Sequence, residues 1–333
     1  MADADPVGSE ERPRLGGVAP FDAFGDVVLA ALATVAAHGG YHTRMTATPN
    51  GHHQPEQSDV ALARRVLAMV MDQSHECVQM LRTLLAASQS GDGATQAEVV
   101  WQLRDYGLEP EEIVLSTSTD ALDRRAVAAR RAGTGGGRSL LLWAHPDRPS
   151  FDGGAGWSVD PFAGEVRNGR IYGWGIADDL SGVAALLLLP RMLRILRAEL
   201  AGDVVLASLP GSDDAGGVSA LLGTDFAADA GMRLRPPKSG SGLDEIEAIS
   251  PDAPLFRTVA SAITSITDEP PHYTANEIHL PVVDARLQAV GIGPRAGNLS
   301  RAGERNEWME LDDYLRMIAV CTVTAIRWCG TSA

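Results

Sequence analysis

Two patterns of apolar residues alternate along the chain. Short uninterrupted runs, Leu140 to Ala144 and Val204 to Leu209, have the length and apolarity of strands buried on both faces of a sheet. Longer stretches carry apolar residues three and four apart and predict helices: residues 21–37, one or two within 59–88, then 95–106, 251–266 and 310–328. Thr95 suits the cap of its helix and Gly107 its stop, and acidic residues open the last helix, where the dipole favours them. The run Val183 to Leu189 is helix-like. Pro190 should end or kink it, because proline lacks the N–H that a helix interior needs. Ile113–Ser116, Ala126–Ala129, Ile278–Val283 and Val290–Ile292 read as further strands, and the GTGGG of 133–137 as a hairpin turn. The segment 228–232 carries no assigned element, and Arg233 to Gly242 is rich in Pro, Gly and Ser.

At 333 residues the chain can bury a sizeable core, as one large domain or two modest ones. Its net charge of −15 argues against nucleic acid or an anionic membrane as partner. No apolar run approaches membrane-spanning length, and the acidic N-terminus lacks a basic segment followed by an apolar one, so the reading is a soluble protein of the cytoplasm. Cys77, Cys321 and Cys329 are odd in number and without metal-ligand spacing, which agrees with a reducing compartment. Lys238 is the sole lysine among many arginines, a usage that points to a GC-rich bacterial gene. Residues 1–20 read as disordered. His38, His42, His52 and His53 follow among Pro, Asn and Gly. A His-rich tract can hold metal, but these have no ligand spacing and read as a solvated loop. Residues 1–60 are thus an N-terminal extension, with homo-oligomerisation as one use, ahead of a single domain over 61–333.

The chemistry concentrates between Ser139 and Gly182. The strand Leu140–Ala144 delivers His145 and Asp147 at its carboxyl end, where open α/β sheets place active sites. A His with a nearby Asp serves there as a ligand or base with its orienting group, the alternative being a buried structural pair. Further on come Asp178 and Asp179, and the strand Val204–Leu209 runs into Asp213-Asp214 followed by glycines. Adjacent acids repel, raise one pKa and so form an acid–base pair, although Asp-Asp before Gly is also ordinary turn sequence. Asp179 alone reads as a charge favouring the N-terminus of the following helix.

Three segments in order, H-x-D at 145–147, W-x-x-D-P-F at 157–162 and G-R-I-Y-G-x-G-x-x-D at 169–178, carry a likeness. Together they resemble the catalytic domain of the aminoacylase/carboxypeptidase family of co-catalytic zinc hydrolases, which includes acetylornithine deacetylase and succinyl-diaminopimelate desuccinylase. In weaker form the resemblance runs from about residue 76 to the C-terminus. It implies the zinc-exopeptidase fold, an α/β three-layer sandwich around a mixed, mostly parallel sheet. It also implies that His145 is a metal ligand and Asp178 the bridging ligand. Asp213 takes the place of the general base that activates metal-bound water, and Asp214 that of a ligand, where the family has two glutamates.

Three departures from the family bear on function. Only the Gly/Pro/Ser stretch around 236–250 fills the gap where the family inserts a lid or dimerisation domain, so the domain reads as lidless. Arg235-Pro236 stands where the family has a ligating glutamate before proline. A guanidinium cannot ligate a cation, and Arg235 could pair with Asp178 instead, leaving Asp225 or Asp229 as substitutes for the lost ligand. Gly303 stands where the family's last His precedes Asn306-Glu307. The ligands that remain, His145, Asp178 and Asp214, would hold one zinc at most, or none. For substrate, Arg235, Arg295 and Arg301 offer bidentate recognition of a carboxylate, Arg295 lying in a Gly-rich loop like the family's substrate loop.

The leading expectation is a repurposed enzyme in which His145, Asp178, Asp213 and Asp214 perform acid–base chemistry on a small amino-acid-derived metabolite: cyclisation, isomerisation or elimination. The alternatives are a single-zinc amidohydrolase of a small N-acyl substrate and a non-catalytic binding or scaffold protein.

Overall fold

The computed structural model describes residues 57–115, 125–147, 151, 153–211, 216–236, 242–248, 250–275, 287–297 and 305–332. The helix expected at 21–37, the His-rich tract up to residue 56 and the strand expected at 278–283 lie outside the described residues. Three helices come first, α1 (Gln57–Asp72), α2 (Ser74–Ser88) and α3 (Asp92–Asp105). They are followed by strands β1 (Glu111–Val114), β2 (Arg125–Arg131), β3 (Leu140–Ala144), β4 (Glu165–Arg167) and β5 (Arg170–Tyr172). After them run α4 (Ser181–Leu196), β6 (Val204–Ser208), α5 (Gly216–Leu222), β7 (Ala230–Leu234), β8 (Glu245–Ala248) and α6 (Pro254–Thr267). The chain closes with β9 (His272–Ala275), β10 (Gln288–Ile292), β11 (Ala296–Gly297), β12 (Trp308–Glu310) and α7 (Leu311–Cys329).

Eight strands form one sheet in the order β1-β2-β6-β3-β7-β10-β8-β9. The centre is parallel: β3 lies between β6 and β7, with Leu140 opposite both Val204 and Ala230, and β10 continues parallel to β7. Antiparallel pairing enters at β1–β2–β6 and at β10–β8, so the sheet is mixed, as expected. Every residue of β3, β6 and β7 is buried, which demands cover on both faces. On one face α4 packs on β3, β6 and β7, with α7 beside it and α1 and α6 against α7. On the other, Val218 and Leu221 of α5 join Leu141, Trp143, Val205, Ala207, Phe226 and Leu287 in a continuous apolar cluster. Helix, sheet and helix make the three layers. A small antiparallel sheet, β11-β12-β5-β4, stands apart from the main one. Only residues 235–244 separate β7 from β8, the place where a lid was looked for.

Four local expectations need correction. Pro190 neither ends nor kinks its helix out of register; α4 runs through it to Leu196. Every residue from Ser181 to Pro190 is buried, and that apolar burial, about 1.5–3 kcal/mol per large side chain, outweighs a proline penalty of about 3 kcal/mol. Thr95 is not a cap: the helix begins at Asp92, and the Thr95 hydroxyl turns back to the Gly91 carbonyl. The GTGGG segment is no hairpin, since β6 lies between β2 and β3. Its glycines serve close approach instead. A Cβ at Gly133 or Gly137 would overlap the backbone of Ala201 and Gly202, and at Gly137 also that of Cys329. Finally, the segment 228–242, read without a strand, contains β7, a central strand.

Candidate active site

The carboxyl ends of β3, β6 and β7 lie side by side, and the start of α4 crosses above them. Gly182 makes that crossing possible: a Cβ there would run into the Leu234 carbonyl and lie 3.0 Å from the Ala144 Cβ. Just before α4, residues Ile176–Leu180 form a single π-turn in which the Leu180 N–H reaches back to the Gly175 carbonyl at 3.0 Å. Gly175 enters that turn at φ 75°, a left-handed conformation that suits glycine. Asp178 and Asp179 are its third and fourth residues.

A fully buried carboxylate holds the turn in place. Glu307 accepts the Gly175 N–H at 2.8 Å through Oε2 and the Ala177 N–H at 2.7 Å through Oε1. Its own carbonyl accepts the Gly173 N–H at 3.1 Å. Charge-assisted bonds to an ionised acceptor are about twice as strong as neutral ones, so the backbone leading into Asp178 is fixed from both oxygens.

Asp179 differs from its expected role. It is 1 % exposed rather than a solvated helix charge, and Arg235 Nε lies 3.3 Å from its Oδ1. Arg235 thus pairs with Asp179; the pairing with Asp178 that the sequence suggested falls on a side chain outside the described residues. The wide π-turn rotates Asp179 inward over the strand ends. Arg235 is itself anchored: its N–H donates to the Ile292 carbonyl at 2.8 Å, and Gly293 leaves room for the Arg235–Pro236 peptide to pass. Two residues earlier, Arg233 is 2 % exposed on β7. The parallel register sets it opposite Trp143, on the face of β3 that also carries His145 by strand alternation.

His145 is 5 % exposed, and its Nδ1 lies 2.6 Å from the Leu209 carbonyl. A carbonyl only accepts, so Nδ1 carries the hydrogen and Nε2 the lone pair. Burial, and then the nearby charge of Arg233 and Arg235, pushes the imidazole pKa down to about 3, with the Leu209 bond opposing. His145 is a neutral ring at physiological pH. Asp147, expected to orient it, accepts the N–H of Gly211 in the loop after β6. The group on Nδ1 is the backbone of the same loop, two residues earlier.

The W-x-x-D-P-F segment serves this architecture. The Asp160 carboxylate accepts the Phe162 N–H at 2.9 Å, and Trp174 donates its N–H to the Pro161 carbonyl at 2.8 Å. Phe151, Trp157 and Phe162 meet one another or Trp174 edge-on, with centroids 5.0–6.0 Å apart. The aromatic loop is thereby stacked against the approach to the π-turn.

Other sequence-predicted residues fall elsewhere. Arg295 is about half exposed, pairs with Asp244 at 2.7 Å, and gives its N–H to Asp313 at 3.0 Å. Asp229 accepts from the Ser139 N–H and hydroxyl at the amino end of β3, the far end of the sheet, so it is no substitute ligand. Asp225 is exposed ahead of the amino end of β7. Asp213, Asp214, Arg301 and Gly303 lie outside the described residues, as does the Asp178 side chain. Two residues of the site went unrecognised. Arg233 had one signal, a charge inside the otherwise apolar AGMRL; Glu307 had only its place beside Asn306.

The described residues do not fit a pair of zinc ions. Among them no three His, Cys, Asp or Glu side chains converge as a metal requires. At the strand end where the resemblance calls for a ligating carboxylate stands a guanidinium bound to Asp179, with a second, Arg233, buried close by. Two fixed positive charges oppose a divalent cation.

Comparison with known proteins gives the family and the fold. The sequence pattern of peptidase family M20/M25/M40 matches residues 141–327. The succinyl-diaminopimelate desuccinylase of Methylocella silvestris is 32% identical over 116 residues, 34% of this chain and 29% of that protein. The N-formyl-4-amino-5-aminomethyl-2-methylpyrimidine deformylase of Halalkalibacterium halodurans is 36% identical over 76 residues, 23% of this chain and 18% of that protein. The chain thus spans less than a third of the length of these curated relatives. Among solved structures, the dipeptidase Dug1p of Saccharomyces cerevisiae superposes with a TM-score of 0.65 at 10% identity, covering 82% of this chain and 99% of that one. Human carnosine dipeptidase 1 gives 0.63 at 11%, covering 80% and 99%. Both share the fold.

Proposed function

We propose, from the premise that the chain belongs to peptidase family M20/M25/M40, that its cleft binds a small amino-acid-derived anion and transforms it by acid–base chemistry. The observation that carries this reading is the pair of guanidiniums beside His145. Burial first, and then the charge of Arg233 and Arg235, depresses its pKa, so the two guanidiniums put a positive potential at the ring that a substrate carboxylate would meet. A carboxylate bound there would offset that potential, raise the basicity of His145 and leave Nε2 ready to take a proton. Substrate binding itself would then arm the base. Asp178, Asp213 and Asp214 supply the opposing acid and base, and Glu307 fixes the turn that presents Asp178. Proton removal and return at adjacent atoms of an amino-acid derivative amount to isomerisation, elimination or, with an internal nucleophile, cyclisation.

A second reading, hydrolysis of a small N-acyl compound, draws support from the names of the desuccinylase and deformylase relatives. The Nδ1 bond of His145 to a backbone carbonyl also orients Nε2 as a ligand would need. His145, Asp178 and Asp214 are the residues that would hold a single zinc in that case.

One experiment separates these readings. Purified protein is incubated with N-succinyl, N-formyl and N-acetyl amino acids and with free diamino acids, in EDTA or in zinc, and products are identified by mass spectrometry. Turnover that persists in EDTA and vanishes in Asp213→Asn supports the acid–base enzyme. Release of amine and acid only with zinc supports the amidohydrolase. A folded protein inert in both would leave the scaffold reading.

A further inference from the structure

The end of the sheet opposite His145 carries a pocket of about 310 Å³. Its position follows from register. Arg131, the last residue of β2, lies opposite Val204, the first residue of β6, whereas Ala144 before His145 lies opposite Ser208 at the other end of that strand. Tyr106 after α3 and the last turn of α4 complete the wall.

Three guanidiniums line this pocket, Arg131, Arg194 and Arg197, against one carboxylate, Glu199. Arg131 is fixed by donating from Nη2 to the Ala198 carbonyl at 3.1 Å. Arg194 sits 5.8 Å from the centroid of the Tyr106 ring, and Arg197 occupies the left-handed residue that ends α4, at φ 52°. Among the described residues, neither Arg194 nor Arg197 lies within ion-pair distance of a carboxylate. That is unexpected on a chain with a net charge of −15, where an arginine meets acidic neighbours readily. Attraction to the carboxyl end of the helix dipole accounts for Arg194 and Arg197 but not for Arg131, which comes from a strand and converges on the same space. Burial raises the Tyr106 phenol pKa, so its hydroxyl stays protonated. The floor is apolar, supplied by Leu193 and its neighbours.

Planar guanidinium forks match the oxygens of carboxylate and phosphate groups two at a time. We propose that this pocket is a second binding site, separate from the catalytic cleft, for a small polyanion bearing at least two oxyanion charges: a di- or tricarboxylate or a phosphate ester. The site does not depend on the acid–base reading of the cleft. Because α4 begins beside Asp178 and ends in the pocket, one buried helix is common to both.

The test is calorimetric titration of the full chain with citrate and, separately, with inorganic phosphate at constant ionic strength. The expected result is saturable binding of one equivalent of at least one probe. Citrate alone identifies polycarboxylates as the class, phosphate alone identifies phosphoryl compounds, and both together identify the oxyanion chemistry they share. The double variant Arg194→Gln/Arg197→Gln should bind the same probe about tenfold more weakly or worse, and Arg170→Gln, which removes a guanidinium stacked on Trp308, should bind as the parent. Arg194 and Arg197 are exposed, so the double variant keeps its fold, checked by its melting temperature. Absence of saturable heat with either probe, or undiminished binding by the folded double variant, overturns the proposal.

Discussion

The two ends of the central sheet are closed by different means. At the amino end of β3, backbone meets backbone: Gly133, Gly137 and Gly202 lie so close that no Cβ fits. The Gly202 N–H reaches the Cys329 carbonyl at 3.0 Å and the Ala201 N–H that of Gly330 at 2.9 Å. At the carboxyl end the space is filled by charge. Arg233, Asp179 and Glu307 are buried there with a neutral His145; Asp179 pairs with Arg235, and Glu307 accepts two backbone amides. Backbone closure satisfies its polar groups at little desolvation cost. Buried charge is expensive to desolvate, and concentrates where chemistry is done. The contrast separates the backbone seam that holds the strands together from the charged cleft around His145.

Substitutions at the two ends should sharpen that contrast. Gly137→Ala places a methyl group inside rigid backbone and should cost about 3 kcal/mol or more, read as a lowered urea midpoint or loss of soluble protein. Asp179→Asn leaves Arg235 without its anion and should cost about 2–3 kcal/mol; pairing it with Arg235→Met should recover most of the loss, which rules out a purely steric effect. Glu307→Gln keeps the size of the side chain but replaces one acceptor oxygen by a donor. A loss of about 1–2 kcal/mol is expected, with faster hydrogen exchange at the Gly175 and Ala177 amides while the Gly202 amide is unchanged.

A further effect is a matter of pH. The folded pKa of His145, about 3, lies below its ordinary 6.5, so between those values the unfolded chain binds a proton that the folded one refuses. Stability should therefore fall as pH drops through that window. His145→Gln should flatten the slope there and leave the profile above pH 7 unchanged, measured by denaturation at stepped pH.

The parts of this fold that were legible in sequence are those where one physical demand dominates. β3 is apolar at every position, and β6 at all but Ser208, because both faces are covered, and α7 repeats its apolar spacing over five turns. The failures arise where two demands compete. Arg233 inside β7 hid a central strand, because one charge interrupts the apolar run that marks a buried strand. Pro190 signalled a helix end, and tertiary burial overrode it. The glycines of 133–137 look like a hairpin from within the segment, since their real partners, Ala201, Gly202 and Cys329, come much later in the chain. Asp179 and Glu307 were misjudged or passed over for the same reason: nothing local announces that a carboxylate will be buried.

The grip of Glu307 on the π-turn spans 132 and 130 residues of sequence to Gly175 and Ala177. During synthesis the turn emerges long before the carboxylate that organises it, and a chain interrupted ahead of residue 307 holds the two amides with no buried acceptor to receive them. Assembly of the cleft therefore waits until residue 307 has been made. A ribosome-bound intermediate can carry His145, β3 and the aromatic loop and still lack a fixed π-turn until β12 and α7 dock.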